Sequence, residues 1–248
     1  MKRFGLLGKT LSHSFSKKYF TDKFQKLGLN DHQYELFELP QISDFPLLIS
    51  ENTPLYGLNV TIPYKELVIP YLDDLDISAQ KVGAVNVIKF AENGRLIGYN
   101  SDYYGFKKSL INALKQYKLA MPKAALILGT GGAAKAVAAA LKDLAIVCKI
   151  VSRDGNRADF TYTELGEMQI NTAILIVNAS PLGTYPKTEE FPAIPYHLLT
   201  ENHLLFDLVY NPEITTFMKK GLENGSKVVN GLEMLHLQAE KAWDIWNN

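Results

Sequence analysis

Residues 124–136, AALILGTGGAAKA, show most clearly how the chain folds. They open with a continuous apolar run, Ala124–Leu128, as expected for a parallel strand covered on both faces. A glycine-rich turn and a helical pattern over residues 137–144 follow directly. This order is typical of a turn that binds a dinucleotide, because glycines let a pyrophosphate approach the free N–H groups of the helix N-terminus. The residues predicted to hold the cofactor phosphates are Gly129, Gly131, Gly132 and Ala133.

Further apolar runs lie after this stretch and alternate with helical or loop segments. The strands they predict cover residues 147–151, 173–177, 204–208 and 227–229, and a helix that stops near Gly221 precedes the last of them. Strands interleaved with helices predict a doubly wound α/β domain. A glycine triplet alone also fits a structural turn, but the strand–turn–helix context favours cofactor binding.

The front of the chain predicts a second α/β region. Strands are expected at residues 3–8, 33–39 and 56–62, followed by a hairpin of residues 84–90 and 95–99 around Asn93-Gly94. Helical patterns cover residues 15–27, 63–71, 106–117 and 232–246. A domain boundary is expected between Asp102 and Pro122.

Composition excludes several partners. The 248 residues carry 26 basic and 26 acidic side chains, so the net charge is zero and neither nucleic acid nor an anionic membrane is expected as the main partner. No apolar stretch approaches the ~20 residues of a membrane span. The single cysteine, Cys148, cannot form an internal disulfide, which favours the cytoplasm. The five histidines are scattered, so no metal site is expected.

The tip of the second strand of the nucleotide domain selects the cofactor. A NAD site places an acidic residue here, about 20 residues past the glycines. This chain has Ser152 and Arg153, and a guanidinium pairs well with a 2′-phosphate. With Arg157 as a second charge, the pattern predicts NADP, although the carboxylate of Asp154 leaves NAD open.

Polar residues at strand ends and helix starts form the candidate chemistry of the front region. Ser14 and Ser16 open a helix, where hydroxyls and free N–H groups can hold a carboxylate or simply cap the helix. Asn59 and Thr61 share one face of a strand end. Three more polar positions follow, at Lys65, Asn86 and Asp102. Lys65 has an ordinary alternative as a surface residue, and Asp102 has one as the N-cap of the next helix.

Taken together, seven motifs resemble the shikimate dehydrogenase family over nearly the whole chain. They are Ser14-x-Ser16, Asn59-Val-Thr-x-Pro-x-Lys65, Gly83-Ala-Val-Asn86, Gly98-x-Asn-Ser-Asp102, Gly129-x-Gly-Gly-Ala-Ala, Asp207-Leu-Val-Tyr210 and Gly231-x-x-Met-Leu-x-x-Gln238. The resemblance implies reversible, NADP-dependent reduction of 3-dehydroshikimate to shikimate in aromatic amino-acid biosynthesis. It also implies an N-terminal substrate domain of residues 1–101, to which the helix 232–248 returns, and a Rossmann-type NADP domain of residues 102–231.

The resemblance also assigns roles to residues. Lys65 and Asp102 would form the catalytic pair at the reacting oxygen. Ser14 and Ser16, with Tyr210 nearby, would hold the substrate carboxylate. The ring hydroxyls or carbonyl would be bound by Asn59, Thr61, Asn86 and Gln238. Cofactor contacts beyond the glycine turn and the Ser152–Arg157 segment would come from Asn178, Ala179, Ser180, Leu208, Gly231 and Met234.

Four departures from the family pattern stand out in the sequence. Ser101 replaces a Thr, and Ser152-Arg153-Asp154 replaces Asn-Arg-Thr. The run from Asn178 to Thr184 differs on the adenine and ribose side. Glu233 stands where a Gly is common, which places an acid near the nicotinamide region.

Three alternatives remain open. One is a quinate/shikimate dehydrogenase that uses NAD. Another is a non-catalytic regulator that binds NADP or a metabolite, whose expected mark is the loss of Lys65 or Asp102. A folate dehydrogenase of similar architecture is disfavoured by the Ser14/Ser16 motif and Gln238. The sequence leaves the oligomeric state open between monomer and homodimer.

Overall fold

The computed structural model describes residues 1–11 and 14–248 of the chain. It divides into two compact units, one of Met1–Ser101 with Ala239–Asn248 and one of Asp102–Gln238. The last helix is therefore shared, with its first half in the second unit and its second half in the first. Ser12 and His13 lie outside the described residues.

The first unit is a mixed sheet with helices. Its strands are β1 (Lys2–Gly8), β2 (His32–Glu38), β3 (Leu55–Val60), β4 (Asp74–Leu75), β5 (Val87–Phe90) and β6 (Leu96–Tyr99). Its helices are α1 (Phe15–Lys26), α2 (Phe45–Glu51), α3 (Tyr64–Leu67) and α4 (Ile77–Val82), and α5 (Ser101–Gln116) begins at its end. The sheet order is β2-β1-β3-β5-β6-β4, in which β5 runs antiparallel to β3 and β6.

The second unit is a parallel sheet with helices. Its strands are β7 (Ala124–Leu128), β8 (Val147–Ser152), β9 (Phe160–Thr161), β10 (Leu175–Asn178), β11 (Leu204–Asp207) and β12 (Lys227–Val229). Its helices are α5, α6 (Gly132–Asp143), α7 (Glu167–Thr172), α8 (Thr216–Glu223) and the start of α9 (Leu232–Asn247). In the order β12-β11-β10-β7-β8-β9, β8 and β9 follow on one side of β7, and β10, β11 and β12 follow on the other. The sheet is therefore doubly wound, as the sequence predicts.

Each unit has its own apolar cores. In the second unit the central strands are buried on both faces, and Ile127, Val177 and Phe206 are fully buried. Helix α6 packs its alanine-rich side, including Ala134 and Ala140, against this sheet. This double coverage explains why these strands are continuously apolar in the sequence.

Two sequence predictions about helices differ from the structure. The helix expected over residues 63–71 ends at Leu67 and continues as a 3₁₀ turn, Ile69–Tyr71, because Pro70 has no N–H to extend the helix. The helix expected to stop near Gly221 runs on to Glu223. Gly221 lies inside it, where an added Cβ would meet the Leu205 side chain at 2.6 Å, so this glycine allows close helix–strand packing.

Several short elements were not predicted from the sequence. They are α2, α4, α7, β4 and β9. Within residues 1–11 and 14–248, no helix is both long and apolar enough to cross a membrane.

Candidate functional site

Two buried asparagines form the centre of the polar group in the first unit. Asn59 lies near the end of β3, and Asn86 immediately precedes β5, the neighbouring strand. The Asn59 side chain donates from Nδ2 to the Asn86 carbonyl oxygen at 3.4 Å. Asn86 Oδ1 accepts the Ser101 backbone N–H at 2.6 Å, and Asn86 Nδ2 donates to Ser101 Oγ at 3.0 Å. The sheet thus places two predicted substrate residues side by side.

Tyr34 on β2 extends this group, although sequence reasoning did not select it. Its hydroxyl donates to Asn59 Oδ1 at 2.7 Å, and its ring stacks on Phe20 with a centroid distance of 4.7 Å. Burial raises the pKa of Tyr34 well above its usual range, and a side-chain hydrogen bond with Ser16 offsets part of this rise. Tyr34 therefore joins Ser16 to Asn59, two residues whose roles the resemblance implies.

Ser14 begins α1 as its N-cap. Its side chain accepts the Lys17 backbone N–H at 3.3 Å, so the capping interpretation describes what this hydroxyl does in the structure. Ser14 and Ser16 are both half-buried. A capping serine still has lone pairs and a hydroxyl proton for a ligand, so its capping bond does not oppose the predicted role.

Thr61 and Lys65 follow β3 in the segment that leads into α3. Both are half-buried. The Thr61 backbone N–H donates to the Leu7 carbonyl at 2.9 Å, and the Lys65 carbonyl accepts the Val85 N–H at 2.7 Å. The second bond ties α3 to the residue before Asn86, so Lys65 is held by its backbone to the polar group described above.

Asp102 is buried, with 9% of its surface exposed, and lies in the first turn of α5. Because α5 begins at Ser101, Asp102 is inside the helix, and the interpretation of Asp102 as the N-cap is wrong. The preceding residue, Asn100, is fixed by a bond from its Nδ2 to the Ala84 carbonyl at 2.9 Å. Asp102 belongs to the second unit together with Tyr210 and Gln238.

The glycine turn after β7 has the geometry of a phosphate cradle. Gly129 has φ of +126°, and an added Cβ would meet the Ala179 backbone at 3.1 Å, so glycine is needed here. Gly131 is the N-cap of α6 and makes no side-chain cap, and a Cβ built on it meets no atom within 4 Å. The first N–H groups of α6, at Gly132 and Ala133, therefore have no side-chain cap, and the space beside Gly131 is open.

The β8 tip is organised by its own side chains. Ser152 Oγ accepts the Asp154 N–H at 3.2 Å, and Asp154 Oδ1 accepts the Asn156 N–H at 3.0 Å. The Asp154 carboxylate is therefore used to cap the short 3₁₀ turn Gly155–Arg157. Arg153 is exposed, and its charge lowers the pKa of Tyr162 against the larger raising effect of burial.

The ends of β10 and β11 hold a fully buried polar pair. Asn178 and Asp207 are register partners on these parallel strands. Asp207 accepts hydrogen bonds from Asn178, Val209 and Thr215. Burial raises the pKa of Asp207 to about 6, against these three bonds, which lower it. Asp207 is quoted in one of the sequence motifs without a role, and Thr215 was not selected.

The remaining predicted residues lie after β11 and along α9. Gly231 donates its N–H to the Val209 carbonyl at 3.0 Å, and a Cβ on it would collide with the Leu208 backbone. Met234 is buried in the core of the second unit. Gln238 donates from Nε2 to the Leu235 carbonyl at 2.9 Å. Tyr210 is 37% exposed, and partial burial raises its pKa.

Glu233, unexplained by the sequence, joins two helices of the second unit. It accepts hydrogen bonds from Ser109 Oγ at 2.8 Å and from Asn112 Nδ2 at 2.7 Å, both on α5. Nearby, Gly105 of α5 lies so close to α9 that an added Cβ would meet the Met234 carbonyl at 2.7 Å. The acid thus fastens α9 to α5.

The structure brings predicted residues together within each unit. In the first unit, Asn59 is hydrogen-bonded directly to Asn86, and Tyr34 links Ser16 to Asn59. In the second unit, Gly129 contacts the Ala179–Ser180 backbone, and Leu208 contacts Gly231. Among the described residues, no group of three or more His, Cys, Asp or Glu side chains is placed to hold a metal ion.

A family model and a curated relative both match this chain to shikimate dehydrogenases. A model described as the shikimate dehydrogenase substrate binding domain matches residues 6–88. The NADP(+) shikimate dehydrogenase of Clostridium beijerinckii is 40% identical over 99% of this chain and 92% of its own length.

Solved structures are similar over the whole chain as well. Shikimate 5-dehydrogenase from Thermus thermophilus, in complex with NADP(H) and shikimate, is 33% identical with a TM-score of 0.85, covering 99% of this chain and 93% of that one. Quinate dehydrogenase from Corynebacterium glutamicum, in complex with NAD, is 25% identical with a TM-score of 0.87, covering 99% and 94%.

Proposed function

Because the chain belongs to the shikimate dehydrogenase family, we propose that it catalyses the NADP-dependent, reversible reduction of 3-dehydroshikimate to shikimate. The observation that carries the proposal is the 40% identity over 99% of this chain to an NADP(+) shikimate dehydrogenase. A match of this extent covers both units, so it includes the predicted substrate residues as well as the glycine turn.

The cofactor is NADP, and the residues present fit it. The space beside Gly131 and the uncapped start of α6 suit a pyrophosphate, which residues 129–133 hold. Ser152, Arg153 and Arg157 bind the 2′-phosphate. The neighbouring carboxylate of Asp154, which in the sequence left NAD open, accepts the Asn156 N–H of its own 3₁₀ turn. Asn178, Ala179, Ser180, Leu208, Gly231 and Met234 line the rest of the cofactor.

The substrate is a hydroxylated ring acid. Ser14 and Ser16 hold its carboxylate with hydroxyl donors at the start of α1. Tyr210 is a further substrate residue. Asn59, Thr61, Asn86 and Gln238 hold its ring oxygens. The hydrogen bonds from Tyr34 and Ser101 support this role, because they fix the orientation of the two asparagine amides before a ligand arrives.

Lys65 and Asp102 act on the proton of the reacting oxygen. NADP, when bound, supplies or accepts the hydride at the carbon. In reduction, the Lys65 ammonium donates a proton to the ketone oxygen as negative charge develops there, and in oxidation the Lys65 amine accepts the hydroxyl proton. Asp102 supplies the carboxylate of the catalytic pair at this oxygen.

A second candidate has a specific observation in its favour. It is a quinate/shikimate dehydrogenase that uses NAD, and it is supported by the similarity to an NAD-bound quinate dehydrogenase with a TM-score of 0.87. Arg153 at the β8 tip favours NADP, since a guanidinium gains nothing comparable from an unphosphorylated ribose.

The test is absorbance at the nicotinamide band with the purified protein. Four mixtures combine shikimate or quinate with NADP or NAD. The proposal expects the fastest reduction of cofactor with shikimate and NADP. A fastest rate with quinate and NAD would favour the second candidate, and a flat trace in all four would leave a non-catalytic binding protein.

The cellular setting follows from the same reaction. The enzyme serves aromatic amino-acid biosynthesis through chorismate and works in the cytoplasm, which the lone Cys148 supports. It acts as a monomer or homodimer on small molecules, with no nucleic-acid or membrane partner, in keeping with its zero net charge.

A further inference from the structure

Asp207 is a buried acid that the proposed reaction does not use. Its side chain is fully buried at the end of β11, and its two carboxylate oxygens accept hydrogen bonds from protein groups. Its Oδ1 accepts from Asn178 Nδ2 at 2.9 Å and from the Val209 N–H at 3.0 Å. Its Oδ2 accepts from Thr215 Oγ1 at 2.6 Å. One carboxylate therefore joins the end of β10, the turn after β11 and the start of α8.

The bond to Asn178 orients the loop that follows β10. With Nδ2 turned toward Asp207 and toward the Leu182 carbonyl at 3.2 Å, Asn178 Oδ1 points to Ser180. There it accepts the Ser180 N–H at 3.1 Å and the Ser180 hydroxyl at 2.6 Å. The same loop contacts the phosphate turn, because a Cβ on Gly129 would meet the Ala179 backbone at 3.1 Å.

The bond to Val209 orients the turn that follows β11. The Val209 carbonyl accepts the Gly231 N–H at 3.0 Å, and the Leu208 backbone packs directly on Gly231. Asp207 thus acts on both segments that carry the outer cofactor residues. Since burial raises the pKa of Asp207 only to about 6, the group is ionised at pH 7.5 and accepts all three donors.

We propose that Asp207 is a positioning residue for the cofactor, which orders the loop of residues 178–182 and the turn of residues 208–210 through a single carboxylate oxygen. The proposal rests on the proposed function in one respect, namely that NADP is the ligand of the second unit. Its distinctive claim is that Asp207 acts through Asn178.

The experiment measures the dissociation constant of NADP by calorimetry at pH 7.5, together with the melting temperature of each variant. Asp207→Ala is expected to weaken NADP binding about tenfold or more, because a buried donor pair loses a charged acceptor. Asp207→Asn keeps Oδ1 for both donors and is expected to stay within about threefold of the unmodified protein.

Two controls separate positioning from stability. Thr215→Val removes the Oδ2 partner and the N-cap of α8, so it lowers the melting temperature but leaves NADP affinity within about twofold. In an Asn178→Ala background, adding Asp207→Ala is expected to weaken NADP binding clearly less than it does in the unmodified protein, because one of the two segments through which Asp207 acts has already lost its bond. Should Asp207→Ala fail to fold, Asp207→Ser takes its place, since serine can still accept the Val209 N–H but does not reach Asn178.

The proposal is overturned if Asp207→Ala or Asp207→Ser binds NADP like the unmodified protein, or if the effects at 207 and 178 multiply. Activity with shikimate, measured in parallel on the unmodified protein, reports on the proposed function separately. A protein that binds NADP but does not oxidise shikimate refutes that function and leaves the affinities to decide the role of Asp207. A protein that does not bind NADP refutes both.

Discussion

The Asn86 side chain holds Ser101 at two points: Oδ1 accepts the Ser101 backbone N–H at 2.6 Å, and Nδ2 donates to Ser101 Oγ at 3.0 Å. Ser101 is fully buried and is the first residue of α5, directly before Asp102. A predicted substrate residue thus also fixes the start of the helix that carries a predicted catalytic residue.

Asn86→Ala is therefore expected to lower the free energy of unfolding by about 2 kcal/mol, since it removes the acceptor of the buried Ser101 N–H and the hydrogen bond to the Ser101 hydroxyl. The KM for shikimate should rise in the same variant. The matched control is Ser101→Ala, which keeps the backbone bond and should cost about 1 kcal/mol. Equal costs for both variants in urea unfolding would show that the backbone bond contributes nothing.

The titration of Asp207 gives a pH dependence of stability. Its pKa is raised from 3.8 to about 6 by burial, so the folded protein binds this proton more tightly than the unfolded chain does. The stabilisation is complete below pH 3.8 and is lost as the pH rises through about 6. Relative to Asp207→Asn, the native protein should lose on the order of 3 kcal/mol between pH 4 and 7. Only the difference between the two unfolding curves is diagnostic, because other carboxyls titrate in the same range.

The two neighbouring charged residues at the β8 tip are expected to affect cofactor binding differently. Arg153→Ala should raise the KM for NADP about tenfold and leave the KM for NAD nearly unchanged, because only NADP carries the 2′-phosphate. Asp154→Asn should change neither by more than about twofold, since asparagine also accepts the Asn156 N–H. Tighter NADP binding in Asp154→Asn would mean that this carboxylate faces the phosphate after all.

The phosphate cradle predicts a loss of affinity without a loss of stability. In Gly131→Ala the added methyl group meets no protein atom within 4 Å but fills the space beside the α6 N-terminus. Unfolding should change by less than about 1 kcal/mol, while NADP affinity falls at least about tenfold. Gly231→Ala is the contrasting variant, because its methyl group would collide with the Leu208 backbone and destabilise the fold. Unchanged NADP affinity in Gly131→Ala would remove the phosphate from this position.

The fold was predictable where burial imposes a simple pattern. Strands such as β7 are continuously apolar because both faces are covered, and Gly129 marks the turn because its φ is positive. The short helices α2, α4 and α7 were missed because two turns or fewer carry too few apolar positions to show a helical period. The two-residue strands β4 and β9 exist only through pairing with distant segments.

The motifs of the candidate site could be predicted from the sequence, but the residues that hydrogen-bond to them could not. Tyr34 lies in an ordinary strand pattern, and only the sheet order brings its hydroxyl to Asn59. Thr215 looks like any helix cap, and its bond to Asp207 depends on tertiary structure. Asp207 did leave a signal, because a carboxylate that ends a buried strand needs several donors to be tolerated there.

The proposed mechanism requires that Lys65 moves the proton while Ser14 only holds the substrate, and steady-state kinetics with shikimate and NADP separate these two roles. Lys65→Ala should lower kcat by about 10²–10⁴-fold with little change in the KM for shikimate. Ser14→Ala should raise that KM about tenfold and largely keep kcat. Equal losses of kcat in the two variants, or an undiminished kcat in Lys65→Ala, would contradict the mechanism.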